Sequence, residues 1–156
     1  MCSSDLWKER LLTQSMQVAS AMEAKAHVRV KARLQKDVAC TAIEIGMIDL
    51  GLRFADAIQD WRRGEAMAIA AKAFAQKGDR ARAEACIARA VQVASETQGA
   101  KQEQLNIEIA RAMAALGHVE QARQFGARAT QEMTGSVEAE LVAQVPMDEL
   151  DRQCEA

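Results

Sequence analysis

The chain has 156 residues, of which 20 are basic and 22 acidic, and its formal net charge is −2 at pH 7. This length fits one domain, and the balanced charge excludes a general attraction to nucleic acid or to an anionic membrane. No apolar run reaches the roughly 18 residues of a membrane-spanning helix, and the start, MCSSDLWKER, lacks the apolar core of a signal peptide. We therefore expect a cytoplasmic protein without membrane contact.

The composition predicts an all-α fold. Alanine fills roughly one position in five, while aromatic residues make up 3%, tyrosine is absent and proline occurs once. Alanine is the best helix former and lets helices approach closely. Strands would need the β-branched and aromatic residues that this chain mostly lacks.

Residues 1–34 predict one long N-terminal capping helix. No glycine or proline occurs between Ser3 and Ile45, and Ser3-Ser4-Asp5 can cap the helix N-terminus. The apolar and polar residues alternate briefly at 27–30, so the helix could break there.

Residues 35–134 predict three helix-turn-helix units. The segments 35–51, 62–78 and 101–117 are each about four helical turns long and end at a glycine, namely Gly51, Gly78 and Gly117. A second helical segment, mostly alanine-rich, follows each glycine. The tail, 135–156, predicts a C-terminal capping helix that starts at Ser136, with Pro146 at the start of a last turn.

The three units share a pattern of apolar and small residues. Counted back from its closing glycine, the middle unit has Met67, Ala70, Ala71 and Phe74 where tetratricopeptide repeats have the motif W-x2-L-G-x2-Y. The same positions hold Cys40, Ile43, Glu44 and Met47 in the first unit, and Asn106, Ile109, Ala110 and Met113 in the third. Over residues 36–132 the chain resembles a degenerate tetratricopeptide array, with most signature aromatics replaced. This resemblance implies an α-solenoid of stacked antiparallel helix pairs, with seven or eight helices in total.

The sequence offers little for catalysis. Its two histidines are His27 and His118, and the i,i+4 pair of Glu23 and His27 lacks the second Glu/His pair of a carboxylate-bridged di-metal site. No P-loop, G-x-G-x-x-G or G-x-S-x-G motif occurs. The four scattered cysteines predict reduced thiols, with Cys86 buried on a helix face; lipidation of Cys2 is an open alternative. We expect no enzyme activity, no cofactor and no metal.

A binding surface is the remaining candidate site. The resemblance implies that the first helix of each unit lines a concave groove, and that two cations, Lys72 and Arg111, lie one repeat apart over a small apolar floor. Such cations could hold a carboxylate of an acidic peptide or protein segment, although both could equally be solvated surface charges. The predicted partner-binding residues are Thr41, Ile45, Ile48, Ala68, Lys72, Ala75, Ile107, Arg111 and Ala114.

The predicted function is a non-catalytic protein-interaction module: an adaptor, a chaperone-like protein or a regulatory module. The alternative is an RNA-binding helical repeat, although nucleic acid is the less expected partner. It would use arginines on the second helices: Arg80, Arg82, Arg89, Arg123 and Arg128. Trp61 is expected to fill the junction of the first two units, with an exposed partner anchor as its alternative role. A homodimer that covers one end of the array also remains open.

Overall fold

A computed structural model describes residues 3–22 and 24–128, and all regular structure within them is helical. This confirms the all-α prediction. The helices are α1 (Ser3–Ala21), α2 (Ala24–Glu44), α3 (Ile48–Asp56), α4 (Arg62–Gln76), α5 (Arg80–Ser95), α6 (Ala100–Ala115) and α7 (Val119–Ala127). Predictions for Cys2, Glu23, the side chain of His27 and the tail 135–156, which would supply the eighth helix, lie outside the described residues.

The single N-terminal helix predicted over residues 1–34 is wrong. Helix α1 ends at Ala21 and α2 begins at Ala24, so the break precedes the predicted one and α2 extends well into the supposed cap. The Lys31 Nζ atom donates a hydrogen bond of 2.6 Å to the Ser20 carbonyl, which the end of α1 leaves without a helical partner. Helix α1 packs on α2, and its Leu12 and Met16 are buried in a core cluster with residues of α2 and α3.

The first unit does not end at Gly51. Helix α2 ends at Glu44 and Gly46 takes the left-handed conformation, with φ +89°, while Gly51 is buried within α3. A Cβ atom at position 51 would lie 2.5 Å from Ile43 Cγ1 and 2.8 Å from the Ala39 carbonyl oxygen. Gly51 therefore allows α3 to approach α2 closely, and the true register of the first unit lies five residues earlier than predicted.

Three helix ends share one turn geometry. Gly46, Gly78 and Gly117 all have positive φ, between +77° and +89°. In each turn the residue after the glycine donates its N–H to a carbonyl five residues back, at 2.9 Å; the donors are Met47, Asp79 and His118. This is the Schellman arrangement, in which otherwise unpaired carbonyls at a helix C-terminus accept hydrogen bonds. The predicted glycine stops at 78 and 117 are confirmed.

The helices pack as three hairpins, α2–α3, α4–α5 and α6–α7. Helix α4 packs against both α2 and α6, and we call α2, α4 and α6 the inner row. The remaining helices, α1, α3, α5 and α7, form the outer row. Helix α1 packs on α2, α3 also on α4, and α5 also on α6.

Small residues make the central packing possible. Ala70 of α4 and Ala110 of α6 are completely buried, and both belong to the larger core cluster. A Cβ at Gly64 would lie 2.9 Å from Leu105 Cδ2, which shows how closely α4 and α6 approach. Within the described segments, no helix is both long and apolar enough to cross a membrane.

Candidate protein-binding surface

A chain of polar side chains crosses the inner row. Gln104 of α6 donates a hydrogen bond of 2.9 Å from Nε2 to Oε1 of Glu65 on α4, and Glu65 is 7% exposed. The charge of Lys36 on α2 acts on the same carboxylate. A hydrogen bond therefore joins α6 to α4, and an electrostatic attraction joins α4 to α2.

Burial controls the protonation of this group. Burial raises the pKa of Glu65, and the nearby carboxylate of Glu108 adds to the increase, whereas the charge of Lys36 opposes it. For Lys36, burial acts to lower the pKa, but the carboxylates of Glu65 and Asp37 help to outweigh it and the pKa is raised. The protonation of Glu65 therefore depends on the pH and on any further charged group that binds nearby.

The two predicted binding cations occupy equivalent positions on neighbouring helices. Lys72 and Arg111 each stand six residues before a Schellman glycine, and both are half-buried on adjacent inner helices. In the first hairpin the corrected register puts Cys40 at this position, in place of the predicted Ile45. Burial raises the pKa of the Cys40 thiol to about 12, so it is a neutral side chain at physiological pH.

Four of the predicted binding residues are interior. Ile48, Ala68, Ile107 and Ala114 are each 3% exposed or less, because all four lie in the larger core cluster. Ala75 is half-buried beside the core, Thr41 is exposed on α2, and Ile45 is exposed in the turn that follows α2. Of the nine predicted residues, the five that remain accessible at the surface are Thr41, Ile45, Lys72, Ala75 and Arg111.

Both cations already have partners. Arg111 Nη1 donates to Glu108 Oε1 at 2.7 Å, one helical turn earlier on α6. Lys72 also takes part in an interaction. A ligand carboxylate would have to join or replace these contacts, and Glu108 holds the arginine side chain near the surface in a defined position.

The outer arginines mostly pair with groups of the same chain. Arg82 Nη1 lies 3.0 Å from Asp49 Oδ1, and Arg89 also pairs with Asp56, so two ion pairs join α5 to α3. Arg80 lies 3.3 Å from Nε2 of His118, the residue that precedes α7. The outer row is thus connected by side-chain contacts, and much of its positive charge is neutralised locally.

The interface between α1 and α3 follows the same pattern. Glu9 Oε1 of α1 lies 3.5 Å from Nη2 of Arg53 on α3. Neighbouring outer helices are therefore linked along the whole row, from α1 to α7.

Sequence reasoning missed the buried polar group. Glu65 and Gln104 each stand seven residues before a predicted cation, Lys72 and Arg111, and so lie on the same helix face. That spacing was the available signal, since a glutamate among alanines on a packed face needs a partner. Which residues serve as partners depends on the packing of three helices and is not visible in the sequence.

Two other residues noted in the sequence, Trp61 and Cys86, lie against or in the hydrophobic core. Trp61 directly precedes α4 and packs on the larger core, with the Arg62 guanidinium 4.9 Å from its ring centre; that it fills the junction of the first two units stays a prediction. Cys86 is buried as predicted, and burial raises its pKa. Across the described ranges, no three His, Cys, Asp or Glu residues converge as a metal site.

Comparisons of the chain with protein-family models, with curated proteins and with solved structures find no match.

Proposed function

We propose that the protein is a tetratricopeptide-like α-solenoid that acts in the cytoplasm as a non-catalytic protein-interaction module. Its inner row would bind an acidic peptide or protein segment. The observation that carries this proposal is the equivalent placement of Lys72 and Arg111, which occupy the same position before the same turn on two helices that pack side by side.

The packing supports the solenoid part of the proposal. Successive hairpins share one turn geometry, contact each other through the inner row and are joined by ion pairs in the outer row. Repeat proteins are built in this way, because each unit buries its apolar face against the next.

The charge distribution supports an acidic partner. The inner helices α2, α4 and α6 carry ten basic and five acidic residues, whereas the whole chain carries 20 and 22. An extended segment with carboxylates could accept hydrogen bonds from Lys72 and Arg111 in turn. Glu65 and Glu108 would disfavour misplaced acidic groups nearby and so help to select the position of the ligand.

Binding to a peptide array tests the proposal. The array should hold acidic, neutral and basic peptides of matched length, with the best binder then measured by calorimetry. We expect selection of acidic peptides and a loss of at least tenfold in affinity for the Lys72→Gln, Arg111→Gln double variant. The control, Arg10→Gln with Arg123→Gln, removes the same charge from exposed positions on α1 and α7 and should bind normally.

Equal losses in the two double variants would contradict the assignment of the site. An array without charge preference would contradict the acidic partner. RNA binding, the alternative function, would be recognised by the salt dependence of the affinity, since phosphate contacts make affinity fall steeply with ionic strength. The ion pairs of Arg82 and Arg89 weigh against that alternative.

A further inference from the structure

Exposed large hydrophobic side chains are concentrated on the first two helices and the turn that follows. In the described part of the chain they all lie at or before Ile45. Leu6 is one of them. The other six we call the end face: Trp7, Leu11, Val18, Val30, Leu34 and Ile45.

Helical spacing arranges the end face in two stripes. Trp7, Leu11 and Val18 lie at i, i+4 and i+11 on one side of α1, while Leu6 points to a different side. Leu34 and Ile45 are likewise i and i+11 along α2 and the turn after it, with Val30 one turn before Leu34. Ser20 contacts both Lys31 and Gln35, whereas Glu9, at the other end of α1, contacts Arg53 on α3. Helix α1 therefore runs antiparallel to α2, and Val18 lies near the level of Leu34.

The end face lies where the stack lacks a neighbour. On α2, Lys36 and Cys40 face toward the α4 side, and Leu34 and Ile45 lie nearly opposite on the helix. Helix α1 contacts α2 as α3 contacts α4 and α5 contacts α6, and Glu9 joins it to α3 as the other outer helices are joined. By this pattern, the end face corresponds to the surface against which an inner helix preceding α2 would pack.

We propose that a second copy of the chain covers this face, with the α1–α2 pair of one protomer against the α1–α2 pair of its partner. The six residues are between 41% and 72% exposed. They leave roughly 600 Å² open if a fully exposed residue of this size offers about 180 Å². A standard interface buries about 800 Å² per partner, of which about 65% is apolar in homodimers, so the face supplies the apolar area a dimer needs.

The apolar area, and not the charge, selects a second copy as the occupant. Helix α1 has two acidic and two basic residues, whereas α2 has five basic and two acidic ones. The segment 129–156 of the same chain has seven acidic residues and one basic residue, so it is the competing occupant. The tryptophan fluorescence of a monomer separates the two.

Sedimentation equilibrium of the full chain tests the proposal, and we expect a dimer. Leu11→Glu with Leu34→Glu places charges in the centre of the face and should weaken the dimer by about 100-fold or more. Its circular dichroism should stay unchanged, since both side chains are exposed in the single chain. The matched control is Leu6→Glu, which is as exposed but points elsewhere, and it should remain dimeric.

Tryptophan fluorescence gives a second measurement. In a Trp61→Phe background Trp7 is the sole tryptophan, and its emission should shift to the red as dilution dissociates the dimer. A wild-type chain that is monomeric at the highest soluble concentration would overturn the proposal. So would a monomer with blue-shifted Trp7 emission, which would show that the chain covers its own end face, or equal dissociation by Leu6→Glu.

Discussion

The central hairpin α4–α5 and the N-terminal pair α1–α2 both carry large apolar side chains but differ in how they are enclosed. Helix α4 packs against α2, α3, α5 and α6, and its large side chains, such as Phe74 and Met67, are almost completely buried. In the described structure α1 packs mainly on α2, and Trp7 and Val18 are exposed. The difference teaches that the burial of a helix in this fold depends on its neighbours more than on its own composition.

The largest contrast should come from deleting a large apolar side chain in each region. Phe74→Ala should lower the free energy of unfolding by about 3–5 kcal/mol, because it leaves a cavity at a side chain that is 2% exposed. Leu6→Ala, at a side chain that is 59% exposed, should change it by less than about 0.5 kcal/mol. Urea unfolding followed by circular dichroism measures both, and similar losses would refute the contrast in enclosure.

Adding volume should separate the two regions by a smaller amount. Ala70→Leu or Ala110→Leu should each cost about 1–3 kcal/mol, since both alanines are completely buried between packed helices. Ala21→Leu, at an exposed position on α1, should be nearly neutral and serves as the control. If the buried substitutions were also neutral in thermal melts, the inner helices would not approach as closely as described.

Ionisation of Glu65 should produce a pH-dependent difference. Its pKa is raised in the folded state, so the folded protein binds the proton more tightly and the ionised carboxylate reduces stability at neutral pH. Glu65→Gln should therefore unfold at pH 7 with equal or slightly higher stability, by up to about 1 kcal/mol. This advantage should vanish as the pH falls to about 4, where an unfolded glutamate also protonates.

The control for Glu65 is Glu9→Gln in the N-terminal pair, which removes one charge from a half-exposed position. It reports the general effect of the lost charge. An advantage of Glu65→Gln that persists unchanged down to pH 4 would show that ionisation is not its cause.

The smallest effects should come from the outer ion pairs, and here the two regions should agree. Arg89→Ala removes a contact of the central hairpin to Asp56, and Arg53→Ala removes the contact of α3 to Glu9. Both pairs are exposed, so each loss should be below about 1 kcal/mol and should shrink at high salt. A cost above 2 kcal/mol, measured by urea unfolding, would mean that one of these pairs has a larger structural role.

The sequence predicts the central hairpin better than the first one, for a physical reason. Gly78 stands before Asp79, whose side chain accepts a hydrogen bond from the Arg82 N–H at the start of α5, so stop and start signals are adjacent. The first hairpin contains two glycines five residues apart. Choosing Gly46 as the stop requires the knowledge that Gly51 lies against Ile43, which is a contact between helices.

The N-terminal break and the buried polar group were not predictable for the same reason. No glycine or proline marks the end of α1, where the Ser20 carbonyl accepts a hydrogen bond from Lys31 of the next helix. Glu65 and Gln104 are far apart in the sequence and meet only because α4 and α6 pack together. Local sequence signals predict which segments are helical and where some helices end. Side-chain pairing between hairpins depends on how the hairpins pack together.

The one-sided attachment of α1 has a consequence for how a single chain comes apart. In the solenoid that we propose, each unit would contact only its neighbours, and opening would start at an end and proceed inward. Amide protons of α1 should therefore exchange with solvent sooner than those of α4, whose four neighbours would all have to separate first. A partner bound to the first two helices would hinder opening at this end and would therefore slow amide proton exchange in the helices behind it.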